Sequence, residues 1–153
     1  MDIFIKKINT NSNNIETKKQ QSQSAKEFLN EILKDFYKHN TQLLKKESGE
    51  PYLEDGFKYV SITHSKDYIV LAFDDYKIGV DIEQVKQRNY KPILKRYNQP
   101  ETLSLKEFYH WWTTFEAEYK SQTKQETYSF EIENYICTLS HNPKSEVNIH
   151  YHN

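Results

Sequence analysis

Two stretches of this sequence repeat apolar residues at helical spacing, and short runs of β-branched and aromatic residues surround both. In the first, Ala25, Phe28, Leu29, Ile32, Leu33 and Phe36 fall three or four apart, which lines one face of an α-helix. Ser24 and Glu27 stand before that run in the capping-box relation, where each side chain can satisfy a free N–H at a helix start. The spacing predicts a helix from there to about His39. In the second, Leu105, Phe108, Trp112, Phe115 and Tyr119 repeat the pattern, and Ser104 with Glu107 repeats the cap. Two faces of this kind need sheets to cover them. Residues 2–8, 59–63, 68–73, 77–83, 127–132, 135–139 and 147–151 read as strands. A short helix is expected over 92–97, and loops over 9–24 and around Gly49, Pro51 and Gly56.

The order is strand, helix, two or three strands, and then the same again. It predicts an α+β fold of two similar halves, 1–75 and 76–153. Each would be an antiparallel sheet packed against a long helix, the two meeting near residues 74–79. The halves share no evident residue identity, so the repeat is one of topology. The chain has 153 residues, enough to bury a core without disulfides. Cys137 is its single cysteine, so no internal disulfide can form. A net charge of −1 without a long basic block argues against nucleic-acid binding through counterion release. The first nine residues lack an apolar signal-peptide core and no run reaches membrane-span length. A soluble cytoplasmic protein is the expectation.

Chemistry concentrates in the second half. Asp81 and Glu83 alternate with Ile78, Val80 and Ile82, so on a strand both carboxylates share one face and the aliphatic residues share the other. Two carboxylates about 4 Å apart repel by roughly 4 kcal/mol at an effective dielectric near 20. Either a solvated strand end or a cation site follows, and oxygen ligands with room for water suit Mg²⁺. Glu116 and Lys120 stand one helical turn apart, as a surface ion pair or as part of a site. His64 lies between Thr63 and Ser65, with Lys66 next, and is open to an anion contact or a structural role. His150 and His152 share a strand face. A solvated edge strand is the plainer reading there, metal ligation the alternative.

Taken together, these residues resemble the 4'-phosphopantetheinyl transferase family, in its monomeric, surfactin-synthetase-activating type. That type carries a G-[KR]-P segment, a [LI]-S-H-S segment, a G-[IV]-D-[IV]-E strand and a W-[ST]-x-K-E-[AS]-x-x-K helix. Here the order is Gly49-Glu50-Pro51, Ile62-Thr63-His64-Ser65, Gly79-Val80-Asp81-Ile82-Glu83, then Trp112-Thr113-Thr114-Phe115-Glu116-Ala117 with Lys120. The resemblance spans roughly residues 24–139. It implies transfer of phosphopantetheine from coenzyme A to a serine of an acyl or peptidyl carrier protein, with 3',5'-ADP released. It implies Mg²⁺ held by Asp81, Glu83 and Glu116. It gives Thr63, His64 and Lys120 contacts to coenzyme A phosphates, and makes Glu116 and Lys120 catalytic. The strand motif lies far from the N-terminus, which resembles the pseudodimeric type and implies a monomer over a trimer.

Three departures qualify the resemblance. Phe115 stands where the family usually has a lysine, and Glu50 where it usually has a basic residue. The glycines that often follow the helix motif are missing from residues 121–125. Fewer cations weaken a polyanion site, and Lys45, Lys46, Lys58, Lys66 and Lys124 are the nearby replacements. The alternative function is therefore a weakened or inactive homologue that binds coenzyme A or a carrier protein.

Overall fold

The computed structural model describes the backbone of residues 1–8 and 14–153, and the side chains of all of these except 14–17. It is a mixed α and β structure compatible with the α+β class. Chain order is β1 (Asp2–Lys7), α1 (Asn14–Asp35), β2 (Leu43–Lys45), β3 (Pro51–Leu53), β4 (Tyr59–Ser65), β5 (Tyr68–Asp74) and β6 (Gly79–Gln84). It continues with α2 (Lys91–Arg96), α3 (Leu105–Ser121), β7 (Glu126–Ile132), β8 (Tyr135–His141) and β9 (Asn148–His152).

One sheet runs β4-β5-β1-β9, a second runs β6-β8-β7, and β2 with β3 forms a small hairpin. The two larger sheets pack face to face. Ile3, Ile5, Val70 and Ala72 of the first meet Val80, Ile82, Cys137 and Leu139 of the second, which accounts for the aliphatic positions of each alternation. The outer face of the first sheet buries Phe4, Ile69, Leu71 and Phe73 against Ala25, Phe28, Leu29, Ile32 and Leu33 of α1. On the outer face of the second sheet, α3 sets Phe108 and Tyr109 against Ile136, with Leu94 of α2 beside them. The layers are thus helix, sheet, sheet, helix.

Helix α3 begins as its sequence predicts. The Ser104 hydroxyl accepts from the Glu107 N–H, and the Glu107 carboxylate accepts from the Ser104 N–H. Helix α1 does not begin at Ser24, because helix already starts at Asn14. Lys, Gln and Glu dominate the added turns, and all three are good helix formers. Their polarity reads as loop because Lys18, Lys19, Gln20, Ser22 and Gln23 are exposed and Gln21 alone of that stretch is buried. Residues 9–13 of the expected loop lie outside the described residues.

The last strand departs from a simple plan of one sheet per helix. β9 pairs parallel with β1, Asp2 opposite Asn148 and Lys6 opposite His152, so the end of the chain lies in the first sheet. His150 stacks on Phe4 at 4.7 Å and its Nε2 meets Asp2 at 3.1 Å, while His152 lies edge-on to Phe28. These histidines belong to the packing over α1. No helix among the described residues is long and apolar enough to cross a membrane.

Candidate functional site

Strand β6 brings the acidic motif under α3 because Gly79 has no side chain. A Cβ built there would lie 1.9 Å from the Ala117 carbonyl oxygen and 2.7 Å from the Ser121 nitrogen. The helix rests directly on the strand at this point. Two residues along, the Asp81 side chain meets Lys120 Nζ at 3.3 Å, and the same ammonium donates to the Val80 carbonyl at 3.0 Å.

β4 closes the other side of the site. It is an edge strand of the first sheet, β6 is an edge strand of the second, and the two edges meet through hydroxyls. Ser61 Oγ accepts from the Val80 N–H at 3.1 Å, and Thr63 Oγ1 accepts from the Ile82 N–H at 3.3 Å. Thr63 also donates to Asp81 Oδ1 at 3.3 Å. These bonds satisfy backbone N–H groups that an open sheet edge would leave bare.

Asp81 is only 6% exposed. Its Oδ1 has two partners, Thr63 and Lys120, whereas its Oδ2 is buried with no hydrogen-bond partner. An orphaned buried carboxylate oxygen is costly. Burial pushes the Asp81 pKa up to about 7; the Lys120 charge opposes that, and the Glu83 and Glu116 charges add to it. Glu83 is raised as well, chiefly by burial, with Lys120 and Arg88 opposing and Glu116 reinforcing. Three carboxylates therefore feel one another at the junction of β6 and α3. Even so, no three His, Cys, Asp or Glu side chains among the described residues stand close enough to form a metal cluster. The donor set still suits a hard divalent cation, since it is all oxygen and one member lacks a partner. Asp81, Glu83 and Glu116 are the residues that would hold one.

A groove leads to Lys120. Its wider part, about 680 Å³, lies between α1 and the β2 and β4 strands, and Lys18, Lys19, Lys26, Lys45 and His64 line it. It shares Gly49, Pro51 and Ile62 with a narrower cleft of about 340 Å³ that reaches Tyr119 and Lys120. Gly49 adopts φ +89° at this turn, a left-handed conformation that favours glycine. Burial pushes the His64 imidazole below its usual range, and the Lys120 and Lys45 charges push the same way. At neutral pH it brings a hydrogen bond rather than a charge. Lys18 and Lys19 fall in the stretch that reads as loop in the sequence, and Lys26 in the expected helix, so only the folded arrangement gathers the three along one groove.

The departing residues also have places. Phe115 packs on Tyr97 at 5.0 Å, Trp111 at 5.7 Å and Trp112 at 5.8 Å, joining α3 to the end of α2. Glu50 pairs with Lys46 at 3.1 Å and accepts from Gln122 Nε2 at 3.3 Å, so its charge is offset and it ties the β2–β3 turn to the end of α3. Under α3 the packing is hydroxyl-rich. Thr113 donates to the Tyr109 carbonyl at 2.9 Å and shares a 2.7 Å bond with Thr138, while Ser121 shares one of 2.9 Å with Ser140.

Comparison with known proteins finds a partial likeness. Over 95 aligned residues the chain is 32% identical to a Haemophilus influenzae protein provisionally named a 4'-phosphopantetheinyl transferase. The alignment takes in 54% of this chain and 40% of that relative, so the chain spans about two fifths of the relative's length. No protein-family model matches the chain. The likeness supports the phosphopantetheinyl transferase superfamily and does not separate its types.

Proposed function

We propose that this protein transfers 4'-phosphopantetheine from coenzyme A to a serine of an acyl or peptidyl carrier protein, with Mg²⁺, releasing 3',5'-ADP. One observation carries the reading: Asp81 is buried beside Glu83 and Glu116 with an oxygen lacking a partner, and Lys120 stands on it at the end of a lysine-lined groove. The superfamily likeness supports it. On this reading the chain is of the surfactin-activating type, a cytoplasmic monomer with halves at 1–75 and 76–153, the last strand of the second half crossing to the sheet of the first.

Each residue then has a task. Lys18, Lys19, Lys26 and Lys45 supply positive charge for the coenzyme A phosphates, and His64 donates a hydrogen bond to one of them. Asp81, Glu83 and Glu116 would hold the cation, which would supply positive charge against the diphosphate. Lys120 is within reach of both the carboxylates and the narrow cleft, so its ammonium meets the oxygen on which the leaving group gathers charge. The carrier serine oxygen forms a bond to the phosphopantetheine phosphorus as the bond to 3',5'-ADP breaks. Glu116 accepts the serine proton. Positioning and charge neutralisation account for most of such a reaction.

On this reading the Thr63 hydroxyl supports Asp81, whereas the family resemblance implies a coenzyme A contact for the residue. Its hydroxyl is engaged by Asp81 and Ile82, and the residue is only 5% exposed.

The test is mass spectrometry of several apo carrier proteins incubated with coenzyme A, Mg²⁺ and this protein. A gain of the phosphopantetheine arm is expected, and no gain on any carrier at high protein concentration contradicts the reading. A second reading, a homologue that binds without transferring, is favoured by Phe115, whose aromatic cluster fills the place of an expected lysine. Calorimetric binding of apo carrier without coenzyme A, together with no turnover, would select it.

A further inference from the structure

We infer that Thr63 is a positioning residue for the candidate cation site: its hydroxyl fixes one oxygen of Asp81, so that the other is the oxygen offered to a divalent cation. The inference rests on the cation reading above and deepens it.

The geometry is asymmetric. Asp81 Oδ1 accepts from Thr63 Oγ1 and from Lys120 Nζ, each at 3.3 Å, and Oδ2 accepts from nothing among the described residues. A carboxylate free to turn would share its donors between both oxygens. Here it is held in one orientation. Lys120 is a weak candidate for that task, because its ammonium sits on a flexible four-carbon stem and also lines the cleft that would hold substrate. Once Lys120 turns to a phosphate, Thr63 is the donor that remains on Oδ1.

Thr63 is suited to the role for three reasons. It lies on a strand with its neighbours paired to β5. Its β-branched side chain is stiff at χ1. Its single hydroxyl proton is directed at Asp81 because its lone pair already accepts from the Ile82 N–H. Hydrogen bonds to metal-ligating carboxylates orient the ligand, and their loss typically costs about 10- to 100-fold in metal affinity. The first sheet thereby sets the orientation of a ligand carried by the second. Ser61 makes the matched comparison: it joins the same two strands through the Val80 N–H and does not touch Asp81.

The experiment titrates the full chain with Mn²⁺, with and without coenzyme A, and reads free Mn²⁺ by electron paramagnetic resonance. Melting temperatures are recorded in parallel. Thr63→Val should weaken Mn²⁺ binding about 10-fold or more, Thr63→Ser should restore it to near the wild-type value, and Ser61→Ala should leave it unchanged. If Thr63→Val does not fold, Thr63→Ala takes its place in the same comparison. Unaltered Mn²⁺ affinity in the hydroxyl-free variant overturns the inference, as does an equal loss in Ser61→Ala or a failure of Thr63→Ser to rescue binding. Asp81→Asn separates this from the underlying reading: wild-type protein that binds Mn²⁺ no better than Asp81→Asn overturns the cation site itself.

Discussion

The strand β1 and the strand β6 occupy corresponding places, each pairing antiparallel with the second strand of a hairpin. Phe4 stands opposite Leu71, and Asp81 stands opposite Thr138. In the first layer the helix-facing position holds a phenylalanine that is 0% exposed, among Ile69, Leu71 and Phe73. In the second it holds a carboxylate, with Thr138 and Ser140 nearby in the sheet and Thr113 and Ser121 above them. The inner faces of the same strands match, Ile3 and Ile5 against Val80 and Ile82. The sheet-to-sheet core is therefore built alike on both sides, and the helix-to-sheet contacts differ. Hydrocarbon under α1 contributes stability, whereas buried charge and hydroxyls under α3 give up some stability for a place where ions can be held.

The largest effect expected from this contrast comes from truncating the two corresponding residues. Phe4→Ala should cost about 3–5 kcal/mol, as large aromatic truncations in packed cores do. Asp81→Ala should change stability at pH 7 by no more than about 1 kcal/mol, because losing the Lys120 bond is offset by removing a buried, half-satisfied charge. Chemical denaturation of both variants checks this, and a similar cost at both positions breaks the comparison.

The next effect is a pH dependence confined to the second layer. The Asp81 pKa is held up at about 7 in the folded protein against an ordinary value of 3.8, so the folded state binds that proton more tightly than the unfolded state does. The stabilisation is present below about pH 4 and is lost as pH rises through 7, by up to about 4 kcal/mol. Denaturation of wild type and Asp81→Asn across that range, with chelator present, should show the steeper decline in wild type, the remainder in Asp81→Asn coming from Glu83, whose pKa is also raised by burial. A parallel decline in both would mean that another group is responsible.

Gly79→Ala should cost roughly 1–3 kcal/mol, since α3 has to move off β6 to admit the methyl group. Thermal melting measures it, and an unchanged midpoint would show that the close approach is not needed. The smallest effect is Ser104→Ala, about 1 kcal/mol for the lost cap of α3, read by the same melts.

What was legible in the sequence follows from the range of the interactions. The period of two put Asp81 and Glu83 on one strand face, and the period of four put Glu116 and Lys120 on one helix face, because those relations are local. The start of α3 was legible for the same reason. Ser24 and Glu27 imitate a cap inside a helix, and nothing local distinguishes the imitation. The β2–β3 hairpin leaves no mark in the sequence, because strands of three residues carry no period. The crossing of β9 to β1, the bond from Thr63 to Asp81 and the hydroxyls under α3 join residues far apart in sequence, so they exist only once the layers are stacked. The roles of Phe115 and Glu50 were open for that reason as well: each is decided by partners on other elements, Tyr97 and Gln122.

On the proposed function, the polar layer under α3 exists for transfer rather than for folding. Its most direct test measures phosphopantetheine transfer by mass spectrometry and stability by denaturation on the same samples of wild type and Asp81→Asn, with coenzyme A, Mg²⁺ and an apo carrier protein. Wild type should add the phosphopantetheine arm, while Asp81→Asn should be fully folded and add none. An arm added equally by both proteins, or by neither across a panel of carriers, would contradict that function for the polar layer.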